Sequence, residues 1–293
     1  MTDRTSLRPR RSALFVPAVN ERALAKAAGL DADVFILDLE DSVAPERKAA
    51  AREAAAAALR EARLPPHAER AVRINGFGDG LGLADLEALR EARPDAVVVP
   101  KVTGVEEAAL AGARVQQTLG AGVALWLMME TPGAVLDALA IARTARSGPL
   151  GGFLAGLNDL AKDTRAMPAP GRGIFLPALA NILYAARAEG LVALDGVYNE
   201  ISDEAGFLAE CRQGRELGYD GKTLIHPSQV APANEVYAPA QAELAWARRI
   251  IAAFDAPEAA GKAVMALDGQ MVERLHLQAA RRLVALAERL AER

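Results

Sequence analysis

Residues 33–43 read Asp-Val-Phe-Ile-Leu-Asp-Leu-Glu-Asp-Ser-Val, an unbroken apolar run that ends in carboxylates, and Pro45 then opens an alanine-rich helix. A short apolar run without alternation suits a strand covered on both faces. Proline at the first helical position costs nothing, because that N–H has no partner anyway. The same unit recurs along the first 226 residues: ALFVP from Ala13, RAVRIN from Arg70, AVVVPK from Ala96, ALWLMMET from Ala124, FLAGLND from Phe153, GVYNE from Gly196 and KTLIHP from Lys222. A stretch of helical character separates each run from the next.

Alternating strand and helix patterns imply βαβ units and a parallel sheet. Eight of them imply an α/β chain folded as a closed (β/α)8 TIM barrel, with its chemistry at the carboxyl ends of the strands. Strands are predicted at 13–17, 33–39, 71–74, 96–99, 123–129, 152–156, 196–198 and 223–225, with helices over 134–145 and 175–189 among the connections. The predicted organisation is a loose arm over 1–10, a barrel over 11–228 and a helical extension over 229–293 that either caps the barrel or, as the favoured reading, packs on a neighbouring subunit. In that extension the pattern gives a helix over 241–254, a short strand or turn at 264–266 and a long amphipathic helix over 272–293.

Composition narrows the function classes. Hydrophobic residues make up 52% and charged residues 25%, enough for a large core. The net charge of −4 lacks the basic excess of a nucleic-acid binder. No apolar run reaches the length of a membrane span. The single cysteine, Cys211, excludes an internal disulfide and reads as a small buried hydrophobe on a helix. With a reducing compartment implied, the cytoplasm is the expected location.

On a barrel, Asp38, Glu40, Asp41, Arg73, Lys101, Glu130, Asp159, Glu200 and His226 converge on one mouth. Glu130 and Asp159 end adjacent strands; two carboxylates completed by water and substrate oxygens suit Mg²⁺. Arg73 directly follows a buried run, so it needs an anionic partner, either a substrate carboxylate or the acids of 38–41. Simple alternation points Asp38 and Glu40 one way and Asp41 the other. Lys101 has two readings, a Schiff-base amine or a salt-bridging cation beside the carboxylates. His226 is either an acid/base or a backbone-bonding structural residue. The glycines of GFGDG serve a turn.

Taken in order, RSALFVPA, FILDLEDSV, VRIN, VVPK, METPGA, GLNDL, DGVYNEISDEAGF, GYDGKTLIHPSQV and GQMVE resemble the citrate lyase β-subunit-like family of the aldolase/citrate lyase superfamily. The resemblance covers most of the chain. It implies a Mg²⁺-dependent barrel, commonly trimeric, that makes or breaks a carbon–carbon bond in a β-hydroxyacyl thioester. It further implies that Glu130 and Asp159 bind Mg²⁺, that Arg73 binds the oxoacid with Glu130 and Lys101 beside the substrate, and that Glu40 and Asp41 support Arg73 and the metal waters. Many CoA-using relatives carry an aspartate in a C-terminal G-x-M-[IV]-D segment, supplied by a neighbouring subunit as the acid. Here that segment ends in Glu273, one methylene longer.

Four functions follow as expectations. The first is a free-standing lyase for a citryl-, malyl- or citramalyl-CoA, giving an acetyl thioester and an oxoacid. The second is the citryl-lyase subunit of a citrate lyase complex, with its thioester on an acyl-carrier protein. The third is a thioesterase for malyl-type thioesters. The fourth is a non-catalytic barrel, which predicts no Mg²⁺ binding at Glu130 and Asp159.

Overall fold

The computed structural model describes residues 8–257 and 262–293, so residues 1–7 of the expected N-terminal arm lie outside the described residues. Those described form two compact units, Arg10–Tyr237 and, together with Arg8 and Pro9, Ala238–Arg293.

The first unit is a closed parallel barrel of eight strands in chain order: β1 Ser12–Pro17, β2 Val34–Asp38, β3 Glu69–Arg73, β4 Ala96–Val99, β5 Ala124–Met129, β6 Leu150–Ala155, β7 Val192–Asp195 and β8 Gly221–Leu224. It closes where Ser12 pairs with Lys222. The connecting helices are α1 Glu21–Ala27, α2 Lys48–Arg60, α3 Leu81–Leu89, α4 Val105–Leu119, α5 Pro132–Leu136, α6 Ala138–Arg143, α7 Leu157–Thr164, α8 Leu176–Ala188, α9 Glu204–Leu217 and α10 Val230–Tyr237. Ser12 and Asp31 on the barrel hold α10 through Asn234, whose amide oxygen accepts from Ser12 Oγ at 2.7 Å and whose amide donates to Asp31 O at 2.7 Å.

Period-two alternation sorts each strand between two cores. Phe35 and Leu37 pack outward with Val72, Val97, Leu125 and Leu127 under the helices. Val34, Ile36, Ala71, Ala96, Val98, Trp126 and Met128 fill the interior. The next inward positions, at the mouth, are Asp38, Arg73 and Glu130, all buried. On β2, β3 and β5 a packed interior therefore becomes a charged floor at the next inward position.

Four local readings need correction. Strand seven is Val192–Asp195, not 196–198. Gly190, at φ +68°, ends the preceding helix, so the residues after it belong to the sheet. Strand eight ends at Leu224; Ile225 leaves the ladder and donates its N–H to Gln229 Oε1 at 3.0 Å. The helix expected over 134–145 is two short helices, α5 and α6, separated at Asp137. Strand six stops at Ala155, and residues 157–159 open α7 rather than ending the strand.

The second unit comprises α11 Gln241–Asp255, the antiparallel hairpin β9 Val264–Leu267 and β10 Gln270–Glu273, and α12 Arg274–Ala291. Val272 and Glu273 are thus strand residues, where the sequence pattern puts the start of a helix. Asp268 at φ +52° and Gly269 at φ +78° make the two-residue turn. Asp-Gly suits that left-handed pair because it matches the twist of the flanking strands. Ala247, Ile250, Val272 and Ala280 form the small core of this unit.

Candidate active site

The sheet register builds the centre of the mouth. Asp38 and Arg73 are direct partners across β2 and β3. Arg73 Nε and Nη2 each donate to one Asp38 carboxylate oxygen at 2.7 Å. The guanidinium also lies 4.7 Å from the Phe15 ring centroid, and Asp38 Oδ1 and Oδ2 accept the N–H groups of Glu40 and Ser42 at 3.0 and 3.1 Å. Burial alone would raise the Asp38 carboxyl; the paired bonds to Arg73 outweigh it and hold it below the usual range. Arg73 is held cationic in turn by the same bonds against the effect of burial.

Alternation does not continue past Asp38. The chain bends at Leu39-Glu40, and Glu40 and Asp41 both turn to the same cations. Arg73 Nη1 is 3.0 Å from Glu40 Oε2 and 3.5 Å from Asp41 Oδ2. Lys101 Nζ bridges the pair, bonding Glu40 Oε1 and, at 3.0 Å, Asp41 Oδ1. Burial raises the Glu40 carboxyl, whereas Asp41, bonded to Lys101 and facing Arg73, stays below its ordinary value. Burial would lower the Lys101 amine, but its bonds to Glu40 and Asp41 hold it well above the ordinary lysine value. An amine kept this firmly protonated is a salt-bridging cation and a poor Schiff-base nucleophile.

Glu130 follows the last residue of β5 and is 1% exposed. Its Oε1 accepts the Lys101 backbone N–H at 2.7 Å, an orientation set by the left-handed turn at Lys101, φ +55°. Thr131 then caps α5, accepting from Ala134 N at 3.1 Å, with Pro132 at the first helical position. Gly156 leaves room for the Glu130 carboxylate: a Cβ there would sit 2.6 Å from Glu130 Oε2 and closer still to its Cβ. Asp159 lies in the first turn of α7.

Asp38, Asp41, Arg73, Glu130, Asn158 and Asp159 line one cavity of about 370 Å³, together with Phe15, Pro17, Met128, Leu157, Val197, Thr223 and Ile225. Glu40 and Lys101 stand behind this wall. The site holds five carboxylates against two cations, Arg73 and Lys101, with the exposed Lys162 3.7 Å from Asp159, so it is short of positive charge. Glu130 shows the deficit: burial, with Glu40 and Asp159 adding to it, pushes its carboxyl up to about 7 even though it accepts the Lys101 N–H. Among the described residues no three or more His, Cys, Asp or Glu side chains gather as a ready metal nest. Two carboxylates with water and substrate oxygens form the donor set that Mg²⁺ accepts, and the cradle at Gly156 fits that role.

His226 is structural in its contacts: Nδ1 meets Ser228 Oγ at 2.7 Å and accepts Ser228 N at 3.3 Å, capping a short 3-10 turn. Asn199 and Asn158 exchange amide bonds of 2.8 and 3.3 Å at the mouth. Cys211 is buried on α9, and burial pushes its thiol up to about 12. Glu273 lies in the second unit, where it ends β10 and its N–H donates to His276 Nδ1 at 3.1 Å. Sequence reading missed Gly156, whose signal is a glycine directly between a strand and an acid-bearing helix. It also missed the apolar wall of Phe15, Met128, Val197 and Ile225.

A (β/α)8 barrel with a charged cluster and a cavity at the carboxyl ends of its strands has the architecture of an enzyme. Residues 11–227 match the family model described as HpcH/HpaI aldolase/citrate lyase, and residues 173–290 match one described as C–C bond lyase of the TIM-barrel fold. The chain belongs to the HpcH/HpaI aldolase/citrate lyase family, a family of Mg²⁺-dependent lyases. It is 45% identical over 283 residues to the (3S)-malyl-CoA thioesterase of Cereibacter sphaeroides strain ATCC 17023, covering 97% of this chain and 96% of that protein. It is 35% identical over 290 residues to citrate lyase subunit beta of Escherichia coli strain K12, covering 96% and 94%. Among solved structures, the protein CitE of Mycobacterium tuberculosis in complex with magnesium, acetoacetate and coenzyme A aligns with a TM-score of 0.74 at 33% identity, covering 94% of this chain and 97% of that one. Among the described residues no helix is long and apolar enough to cross a membrane.

Proposed function

We propose that this chain is a Mg²⁺-dependent enzyme for a malyl-type β-hydroxyacyl-CoA thioester, with hydrolysis of the thioester as its net reaction. The observation that carries the reading is the cation deficit at Glu130, buried beside Asp159 on a cavity that also holds Arg73. The choice of thioester and of hydrolysis is supported by the relatives of 45% identity named (3S)-malyl-CoA thioesterase. Glutamate rather than aspartate at Glu273 supports it too, because the longer arm moves the proton-carrying group relative to that of the CoA-using lyases.

Glu130 and Asp159 hold the ion. When bound, Mg²⁺ would supply the positive charge that this carboxylate-rich site needs to take an anionic substrate. Arg73, rigid between Asp38 and Phe15, presents a fixed cation where negative charge develops on the carbonyl oxygen. Lys101 keeps Glu40 and Asp41 from moving towards the ion. Glu273 from a neighbouring copy in a homotrimer handles the proton of the attacking water. Water's oxygen bonds to the thioester carbon, the C–S bond breaks, and the CoA thiolate takes the proton.

A second reading is carbon–carbon cleavage of the same thioester to an acetyl thioester and an oxoacid, favoured by the family and by the undisturbed carboxylate–arginine set. Incubation with malyl-, citramalyl- and citryl-CoA, in Mg²⁺ or EDTA, separates the two. Free CoA and malate without acetyl-CoA support hydrolysis. Mg²⁺-dependent acetyl-CoA with a matching oxoacid moves the function to the lyase. Silence with all three overturns both.

A further inference from the structure

Three charged side chains that this chemistry does not use are buried together where β7 and β8 meet α9, with a fourth, Glu210, half-buried beside them. Asp195, Lys222 and Arg172 are 0%, 0% and 3% exposed. Arg172 comes from the largely exposed connection between α7 and α8 and holds a left-handed backbone, φ +43°. Its Nη1 and Nη2 donate to the two Asp195 oxygens at 2.7 and 2.9 Å, and its Nε donates to Gln213 Oε1 at 2.8 Å. Lys222 Nζ donates to Asp195 at 3.0 Å and to Glu210 at 3.3 Å. Two cations thus face two anions, and Asp195 stays ionised despite full burial.

Asp195 is also the residue at which the chain leaves the sheet. Its Oδ1 accepts the Gly196 N–H at 2.8 Å, and its backbone carbonyl accepts Thr223 Oγ1 at 2.9 Å. Thr223 and, two residues on, Val197 line the cavity. Asn199 pairs with Asn158, the neighbour of Asp159. A surface strut would need neither the left-handed arginine nor the fully buried acid aimed at the first N–H beyond the strand.

We propose that Arg172 is a positioning residue for the site: its grip on Asp195 sets the exit of β7, and so places Val197, Thr223 and Asn199 around the substrate. The inference rests on the proposed thioester chemistry only for its kinetic readout. The control is Arg11, which grips Asp33 through Nε and Nη2 at 2.9 and 2.8 Å just before β1 and β2; its backbone carbonyl accepts the Lys222 N–H at 3.1 Å, and the control removes its side chain alone.

Arg172→Ala, Arg172→Lys and Arg11→Ala would be compared below all their melting temperatures. For Arg172→Ala the expected loss in kcat/KM is about 10-fold or more, with part of it regained by Arg172→Lys, while Arg11→Ala stays within about twofold. In Asn199→Ala/Arg172→Ala the two losses should not multiply, because both act through one segment. Hydrogen exchange at residues 196–203 should rise in both Arg172 variants and not in Arg11→Ala. Equal kinetic losses in Arg172→Ala and Arg11→Ala, or unchanged exchange at 196–203, would overturn the proposal. If the wild type turns over no thioester, the function fails on its own account and exchange alone decides the role of Arg172.

Discussion

Gly156→Ala tests the space behind Glu130, the carboxylate proposed to hold the metal. The Gly156 backbone, φ −113° and ψ 81°, is open to alanine, so the added methyl acts through contact alone. That methyl would lie 2.6 Å from Glu130 Oε2, inside an ordinary carbon–oxygen contact by about 0.6–0.8 Å. Glu130 cannot yield inward, since its Oε1 is held by the Lys101 N–H at 2.7 Å. Because the methyl also meets Glu130 Cβ, either Glu130 moves as a whole and its carboxylate leaves that N–H, or β6 shifts, and overpacking of this kind costs about 1–3 kcal/mol. Displacing a ligand by about this distance should weaken Mg²⁺ binding by about 10- to 100-fold. Mg²⁺ affinity by calorimetry, with circular dichroism to confirm the fold, measures it; Gly78→Ala, with open space around it, is the control. A folded Gly156→Ala protein that binds Mg²⁺ within twofold of wild type would refute the cradle and the assignment of Glu130 as a ligand.

Other outcomes follow from the same geometry. Glu130→Gln and Asp159→Asn should each abolish Mg²⁺-dependent turnover while Glu130→Gln melts no lower than wild type in EDTA, since the deficit is removed; product analysis and melting curves test this. Glu130 has its folded carboxyl raised from 4.5 to about 7, so without metal its contribution, about 3 kcal/mol, is fully present below pH 4.5 and lost as pH rises through about 7. Denaturant titrations of the EDTA-treated protein at pH 5 and 8 should therefore show the fall, and Mg²⁺ should restore stability at pH 8 only. Arg73→Lys keeps the charge but not the two bonds to Asp38, so turnover should drop by about 100-fold or more; recovery to within fivefold of wild type would remove Arg73 from the mechanism. Borohydride in the presence of pyruvate or glyoxylate should leave the intact mass of the protein unchanged, because Lys101 stays protonated; a trapped adduct lost in Lys101→Ala would reinstate the Schiff base.

Legibility differed between strands and connections. The barrel was readable because each strand is covered on both faces and so leaves an unbroken apolar signature, as in Val34–Leu37 and Val97–Val99. Asp38 and Arg73 were readable as mouth residues because they terminate such runs. Their pairing was not, because register is a property of two strands and no single stretch carries it. The bend at Glu40 hides for a similar reason: alternation extrapolates a strand that the sheet has already released. Strand seven was misplaced because Val197 and Tyr198 look like strand residues, while Val197 lines the cavity and Tyr198 donates to Asp203 at the start of α9. The hairpin was read only as a short strand or turn at 264–266: its Asp-Gly turn at 268–269 carried the signal, but the amphipathic pattern just after it drew the helix too far forward.

The closure of the barrel between Ser12 and Lys222 has a consequence for biosynthesis. The Asp38–Arg73 pair can form once the first quarter of the chain has left the ribosome. Phe15 and Thr223, however, face the same cavity from the first and last strands. Until β8 emerges, β1 carries an open edge of unpaired amides, and the emerging strand ends have no closed wall around them. The wall of the cavity is therefore completed only late in translation, and a chain stalled before Gly221 would present the unpaired edge of β1 to chaperones.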